Sequence, residues 1–108
     1  MTKSDYLELT RETLADVEYM IKKKNHDYTG GSTDPFSNFR MSMIEGVPAE
    51  TGLLIRIQDK FQRIRTFLSR GTLEVDGEGI DDAIHDIIGY MLVLKGLIHE
   101  QQQEDLND

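Results

Sequence analysis

Apolar side chains return along this chain at three- and four-residue steps, the spacing that keeps one face of a helix buried. Leu7, Thr10, Leu14, Val17 and Ile21 predict a first helix over 3–26, with Thr2 or Ser4 as its cap. Residues 25–35, with Gly30 and Gly31, predict a loop. Asp34 followed by Pro35 is an N-cap and first-turn pair for a second helix over 35–44, carrying Phe36, Phe39, Met43 and Ile44 and ended by Gly46. Leu53, Ile57, Phe61, Ile64 and Leu68 predict a third helix from Pro48 to Arg70, closed by Gly71. A turn-rich connection over 71–79 leads to a fourth helix from about Gly79 into the early hundreds, with Ile80, Ile84, Ile87, Met91, Leu94 and Ile98 on one stripe. The polar residues 101–108 predict a frayed tail. No strand-like alternation runs longer than a few residues. The expected fold is all-α, a bundle of about four helices in one domain, residues 1–108.

Between Ile87 and Ile98 the fourth helix is apolar on most sides, since Ile88, Leu92 and Val93 lie off the main stripe. Gly89 and Gly96 on the same helix admit another element at close range. So broad an apolar surface in so small a chain must be covered from several directions. The expectation is a homo-oligomer, a dimer with this helix at or near the interface.

Composition narrows the function. The chain has 108 residues, 38% of them hydrophobic, and a net charge of −8. An acidic surface argues against non-specific nucleic-acid binding, which needs clustered cations. No run reaches the length of a membrane span. The opening residues carry no apolar signal region, and a cytoplasmic location is expected. With no cysteine, disulfides and thiolate-bound zinc are excluded.

Candidate chemistry centres on the start of the fourth helix. Glu78, Asp82 and Asp86 follow one another at four-residue steps and so climb one stripe. Stacked like charges repel by roughly 0.2–0.5 kcal/mol per pair. A divalent cation such as Mg²⁺, which prefers carboxylate oxygens, would compensate, and a solvated acidic face is the alternative. On the third helix Arg56, Asp59, Arg63 and Arg70 fall within a sector of roughly 60°. Guanidiniums beside one carboxylate suit phosphate oxygens next to a metal. A surface pair of Asp59 with Arg63 explains the same spacing without a ligand.

Four motif pieces carry a resemblance. They are Lys24-Asn25-His26-Asp27-Tyr28, Asp34-Pro35-Phe36-Ser37-Asn38-Phe39, Asp59-Lys60-Phe61-Gln62-Arg63-Ile64, and the run from Glu78 through Asp81, Asp82 and Asp86 to Gly89-Tyr90. Over roughly residues 20–98 the chain resembles the small phage and bacterial proteins of the nucleotide-modification-associated domain 1 family. Those look like relatives of the all-α nucleoside triphosphate pyrophosphohydrolases, the MazG and dimeric dUTPase group. The resemblance implies a helical, oligomeric protein that acts on nucleotides with Mg²⁺. Glu78, Asp82 and Asp86 match that group's second acidic cluster. The first cluster, a Glu-Glu-x-x-Glu pattern, is reduced here to Asp59 between Gln58 and Lys60, a departure from that group's multi-metal arrangement.

Two functional expectations follow. In the first, a Mg²⁺-dependent, phage-type protein processes nucleoside phosphates by pyrophosphohydrolysis or phosphoryl transfer. Asp59, Glu78, Asp82 and Asp86 hold the metal, with Asp59, Asp82 and Asp86 at the reaction centre. Lys24, Arg56 and Arg63 neutralise phosphate, Tyr28 or Phe39 packs on the base, Asn38 reads a base edge, and Asp27 belongs to the binding set. In the second, the same basic and aromatic pocket binds or sequesters a nucleotide or cyclic nucleotide without turnover. A purely structural helical oligomer is the third expectation.

Overall fold

The computed structural model describes the backbone of residues 1–29, 33–41, 46–71 and 79–107, and the side chains of these except 27–29, 38 and 41. The described residues form three long helices and one short one: α1 (Lys3–Thr29), α2 (Ser37–Met41), α3 (Ala49–Arg70) and α4 (Ile80–Asn107). No strand occurs among them, and no helix is long and apolar enough to cross a membrane. The all-α expectation holds.

Local chemistry sets most helix ends. Thr2 and Asp5 form a reciprocal cap on α1: the Asp5 amide donates to Thr2 Oγ1 at 3.0 Å and the Thr2 amide to Asp5 Oδ2 at 3.1 Å. Asp34 Oδ1 accepts from the Phe36 amide at 3.0 Å and starts the turn into α2. Gly71 takes the left-handed conformation, φ 82°, and its amide closes α3 on the Phe67 carbonyl at 2.7 Å.

Two ends run past the sequence expectation. α1 continues to Thr29 rather than stopping near 26. Tertiary contacts hold its last turns: Lys24 reaches Asp86, and Asn25 Nδ2 donates to the Pro35 carbonyl at 2.8 Å. Residues 101–107, expected to fray, continue α4 as an exposed helix. Their Gln and Glu residues are good helix formers, and Gln101 Nε2 donates to Asp105 Oδ1 one turn on.

α3 and α4 form the central pair and run antiparallel, since Leu53 packs with Leu97 at one end while Lys60 meets Asp86 toward the other. Leu53, Ile57, Leu97 and Phe39 make the buried core, Leu53 with no exposure at all. α1 and α2 cover one side of this pair. Met20 of α1 lies against Gly89, and the Phe36 ring lies against Gly96. The glycines expected to admit another element therefore admit these two side chains. The predicted apolar stripes are wider than the core that one chain fills. Leu7 and Leu14 of α1, Phe61 and Leu68 of α3, and Ile84, Met91 and Ile98 of α4 are exposed, because none of the described helices lies over them.

Candidate functional site

A cleft of about 510 Å³ opens where α1, α2, α3 and α4 meet. Such a volume accommodates one small molecule. One wall is apolar and aromatic: Met20 and Ile21 from α1, Phe36 and Phe39 from the α2 segment, Tyr90 and Val93 from α4. The other end is charged, with Lys24, Arg56 and Asp86. Asn25, tied to the Pro35 carbonyl, joins α1 to the α2 segment at the rim.

Asp86 organises the charged end. Its Oδ2 meets Lys60 Nζ of α3 at 2.9 Å, and its Oδ1 meets Lys24 Nζ of α1 at 3.5 Å. One carboxylate thus joins three helices. The Asp86 and Lys60 side chains are 15% and 17% exposed, so their attraction is little screened, whereas Lys24 at 48% reaches solvent at the cleft mouth. Two ammoniums on one carboxylate leave a local surplus of positive charge in a protein of net charge −8. The Arg56 guanidinium lies 5.3 Å from the centre of the Phe39 ring, which fixes cation and aromatic side by side.

The α2 segment is pinned from outside the cleft. Arg40 forms ion pairs with Asp34 on its own segment and with Glu100 of α4, and stacks 5.7 Å from the centre of the Phe36 ring. Partial desolvation works against its charge, but Asp34 and Glu100 outweigh that and raise the Arg40 pKa above its ordinary value.

The residues singled out from the sequence divide into three groups. Lys24, Phe39, Arg56 and Asp86 come together at the cleft. Asp59, Arg63 and Asp82 do not line it. Asp59 is exposed on α3 and Arg63 half-buried. Asp82 Oδ2 accepts the Gly79 amide at 3.1 Å, a capping bond at the start of α4. Asp27, Tyr28 and Asn38, as side chains, and Glu78 lie outside the described residues. Among the described residues no three carboxylate or imidazole groups gather where they could hold a metal ion. Asp86 faces Lys24 and Lys60, and Asp82 one turn away accepts the Gly79 amide.

Lys60 and Tyr90 stand within the motif pieces, but sequence reasoning gave neither a role. A signal was there: Lys60 follows Arg56 by four residues, and Tyr90 follows Asp86 by four, so each shares a stripe with a residue that was singled out. Comparison with protein families, with curated proteins and with solved structures found no match to this chain.

Proposed function

We propose that this chain binds a nucleoside phosphate in the cleft between α1, α2, α3 and α4. The observation that carries the reading is the pairing of an aromatic wall, Phe36, Phe39 and Tyr90, with the Lys24–Asp86–Lys60 group at the other end. A base stacks on or packs beside the rings at a gain of about 1–3 kcal/mol. A phosphate takes charge-assisted bonds from Lys24 and Arg56, with Lys60 behind them. Binding or sequestering needs nothing more than this. The motif resemblance to the nucleotide-modification-associated domain 1 family supports the same ligand class. The working form is a homo-oligomer in the cytoplasm.

A second reading, Mg²⁺-dependent turnover by pyrophosphohydrolysis or phosphoryl transfer, is favoured by Asp82 and Asp86 standing one turn apart on α4. With Glu78 and Asp59 they would hold the ion, which would act as a Lewis acid on a phosphoryl oxygen. Lys24 and Arg56 would then hold the phosphate in place.

A panel of nucleoside mono-, di- and triphosphates and cyclic nucleotides, with and without Mg²⁺, separates the readings when scored for melting shift and product. Binding without turnover gives a shift of RT ln(1 + [L]/Kd), about 2.7 kcal/mol at a hundredfold excess over Kd, with no product and no metal requirement. Lys24→Met should weaken it about tenfold, the loss of one charge-assisted bond. Turnover gives Mg²⁺-dependent product that Asp82→Ala or Asp86→Ala abolishes, and product surviving both removes the metal reading. No shift and no product with any nucleotide overturns both.

A further inference from the structure

At the charged end of the cleft, attraction and repulsion of a phosphate come from the same few side chains. Lys60 Nζ lies 2.9 Å from Asp86 Oδ2 and both side chains are mostly buried, so a ligand meets this pair as nearly neutral. Lys60 does not line the cleft, whereas Asp86 does. What remains of the group is one positive charge, on Lys24 at the cleft mouth, 3.5 Å from Asp86 Oδ1. A phosphate oxygen that accepts a short charge-assisted bond from Lys24 Nζ therefore lies within about 6 Å of that carboxylate oxygen. An ionised carboxylate accepts hydrogen bonds and donates none, so Asp86 repels every phosphate that Lys24 attracts.

The next turn outward repeats the pattern. Along α4, leading away from the aromatic wall, Val93, Gly89, Asp86 and Asp82 follow at steps of three or four residues and share one stripe. Beyond Asp86 a ligand approaches Asp82, about 6 Å further along the helix axis. α3 runs the other way, so the turn after Lys60 brings Arg63 toward this level, with Asp59 on its flank. None of these three lines the cleft, and together they carry more negative than positive charge. Arg56, the other cation on the described cleft wall, stands 5.3 Å from the centre of the Phe39 ring, on the side where a base would lie.

We propose that the cleft selects a ligand with a single phosphate group, a nucleoside monophosphate, over the corresponding di- and triphosphate, and that Asp86 sets this limit. The inference rests on the nucleotide-binding reading above and names the ligand within that class. A phosphate monoester carries about −1.5 to −2 charge at pH 7, which Lys24 meets directly and Lys60 attracts from behind Asp86. Each further phosphate adds negative charge beside Asp86 and toward Asp82 and Asp59, in a chain whose net charge is already −8. A purely basic pocket would gain affinity with every phosphate. A carboxylate set between two lysines stops that gain after the first.

Titration calorimetry without Mg²⁺ tests this with nucleosides of the common bases and their 5′-mono-, di- and triphosphates. The proteins compared are the wild type and Asp86→Asn, which keeps the shape of the side chain and removes its charge. The wild type should bind a monophosphate about tenfold more tightly than its nucleoside, the gain of one charge-assisted bond. It should bind the triphosphate no more tightly than the monophosphate. In Asp86→Asn the triphosphate-to-monophosphate affinity ratio should rise about tenfold. Added salt should raise the same ratio in the wild type, because screening weakens a repulsion. That measurement needs no variant and decides the matter if Asp86→Asn does not fold. Three results each overturn the proposal and leave nucleotide binding in place: wild-type affinity that climbs with each phosphate, a ratio that falls with salt, or a folded Asp86→Asn that keeps the wild-type ratio. No binding by any of these ligands overturns the nucleotide reading and the proposal with it.

Discussion

Gly96 and Gly89 look alike in sequence and differ in what stands opposite them. A Cβ built on Gly96 meets the Phe36 ring at 2.5 Å, whereas one on Gly89 meets only the terminal methyl of Met20 at 3.0 Å. A ring held by the stacked Arg40 cannot step aside cheaply, but a methionine end can change rotamer. Gly96→Ala should therefore destabilise the fold by about 1–3 kcal/mol through overpacking. Gly89→Ala should be neutral or stabilising, since alanine gains about 1 kcal/mol of helix propensity over glycine. Thermal melts of the two variants side by side decide the matter, and an equal loss in both would mean that the ring contact has no special weight. Asp86 is the other residue whose surroundings set its consequence. Asp86→Ala removes the carboxylate that pairs the Lys24 and Lys60 ammoniums, at a cost of about 1–3 kcal/mol. A denaturant midpoint unchanged by the substitution would show that the ion pairs contribute nothing.

At the scale of elements, the five-residue α2 is too short to persist by its own hydrogen bonds. Three anchors hold its segment: the Asn25 bond to the Pro35 carbonyl, Phe36 and Phe39 in the cleft wall, and Arg40 between Asp34 and Glu100. The Arg40 partners are partly exposed, so each pair contributes only about 0.2–1 kcal/mol to global stability. Their effect is local. Arg40→Met removes both ion pairs and the guanidinium over Phe36. Global melting should hardly move, while amide exchange across 34–41 speeds up and nucleotide affinity falls with the loosened aromatic wall. Exchange rates matching those of the wild type would mean that the two phenylalanines suffice to dock the segment.

For the whole molecule, charge and hydrophobic surface oppose each other. Net charge −8 drives copies apart over a distance set by ionic strength, about 10 Å at 0.1 M salt. In the homo-oligomer proposed above, the exposed apolar residues of α3 and α4, Phe61 and Met91 among them, would draw them together at contact. Added salt should strengthen association by screening the first effect and sparing the second, and Tm should rise with protein concentration as mass action requires. Association that weakens with salt would point to a contact built on ion pairs instead of these apolar residues.

By itself the sequence determined what depends on near neighbours in the chain. Steps of three and four apolar residues specify helices, so the all-α class and the three long elements were legible, along with the Asp34 turn and the Gly71 stop. Of the residues that line the cleft, Lys24, Phe39, Arg56 and Asp86 had been singled out from the sequence: Asp86 by the four-residue acidic steps, Arg56 by its sector on the third helix, and Lys24 and Phe39 within the motif pieces. Only tertiary structure decided which stripe meets which. The phase of α4 against α3 puts Lys60 on Asp86 and leaves Asp59 exposed. The start of α4 engages Asp82 in a backbone cap. The same phase buries Leu53 and Leu97 but leaves Phe61 and Met91 bare, although all four belong to apolar patterns of the same kind. A periodic pattern tells that a face is apolar; how helices are rotated against one another, which no local spacing encodes, determines what covers it.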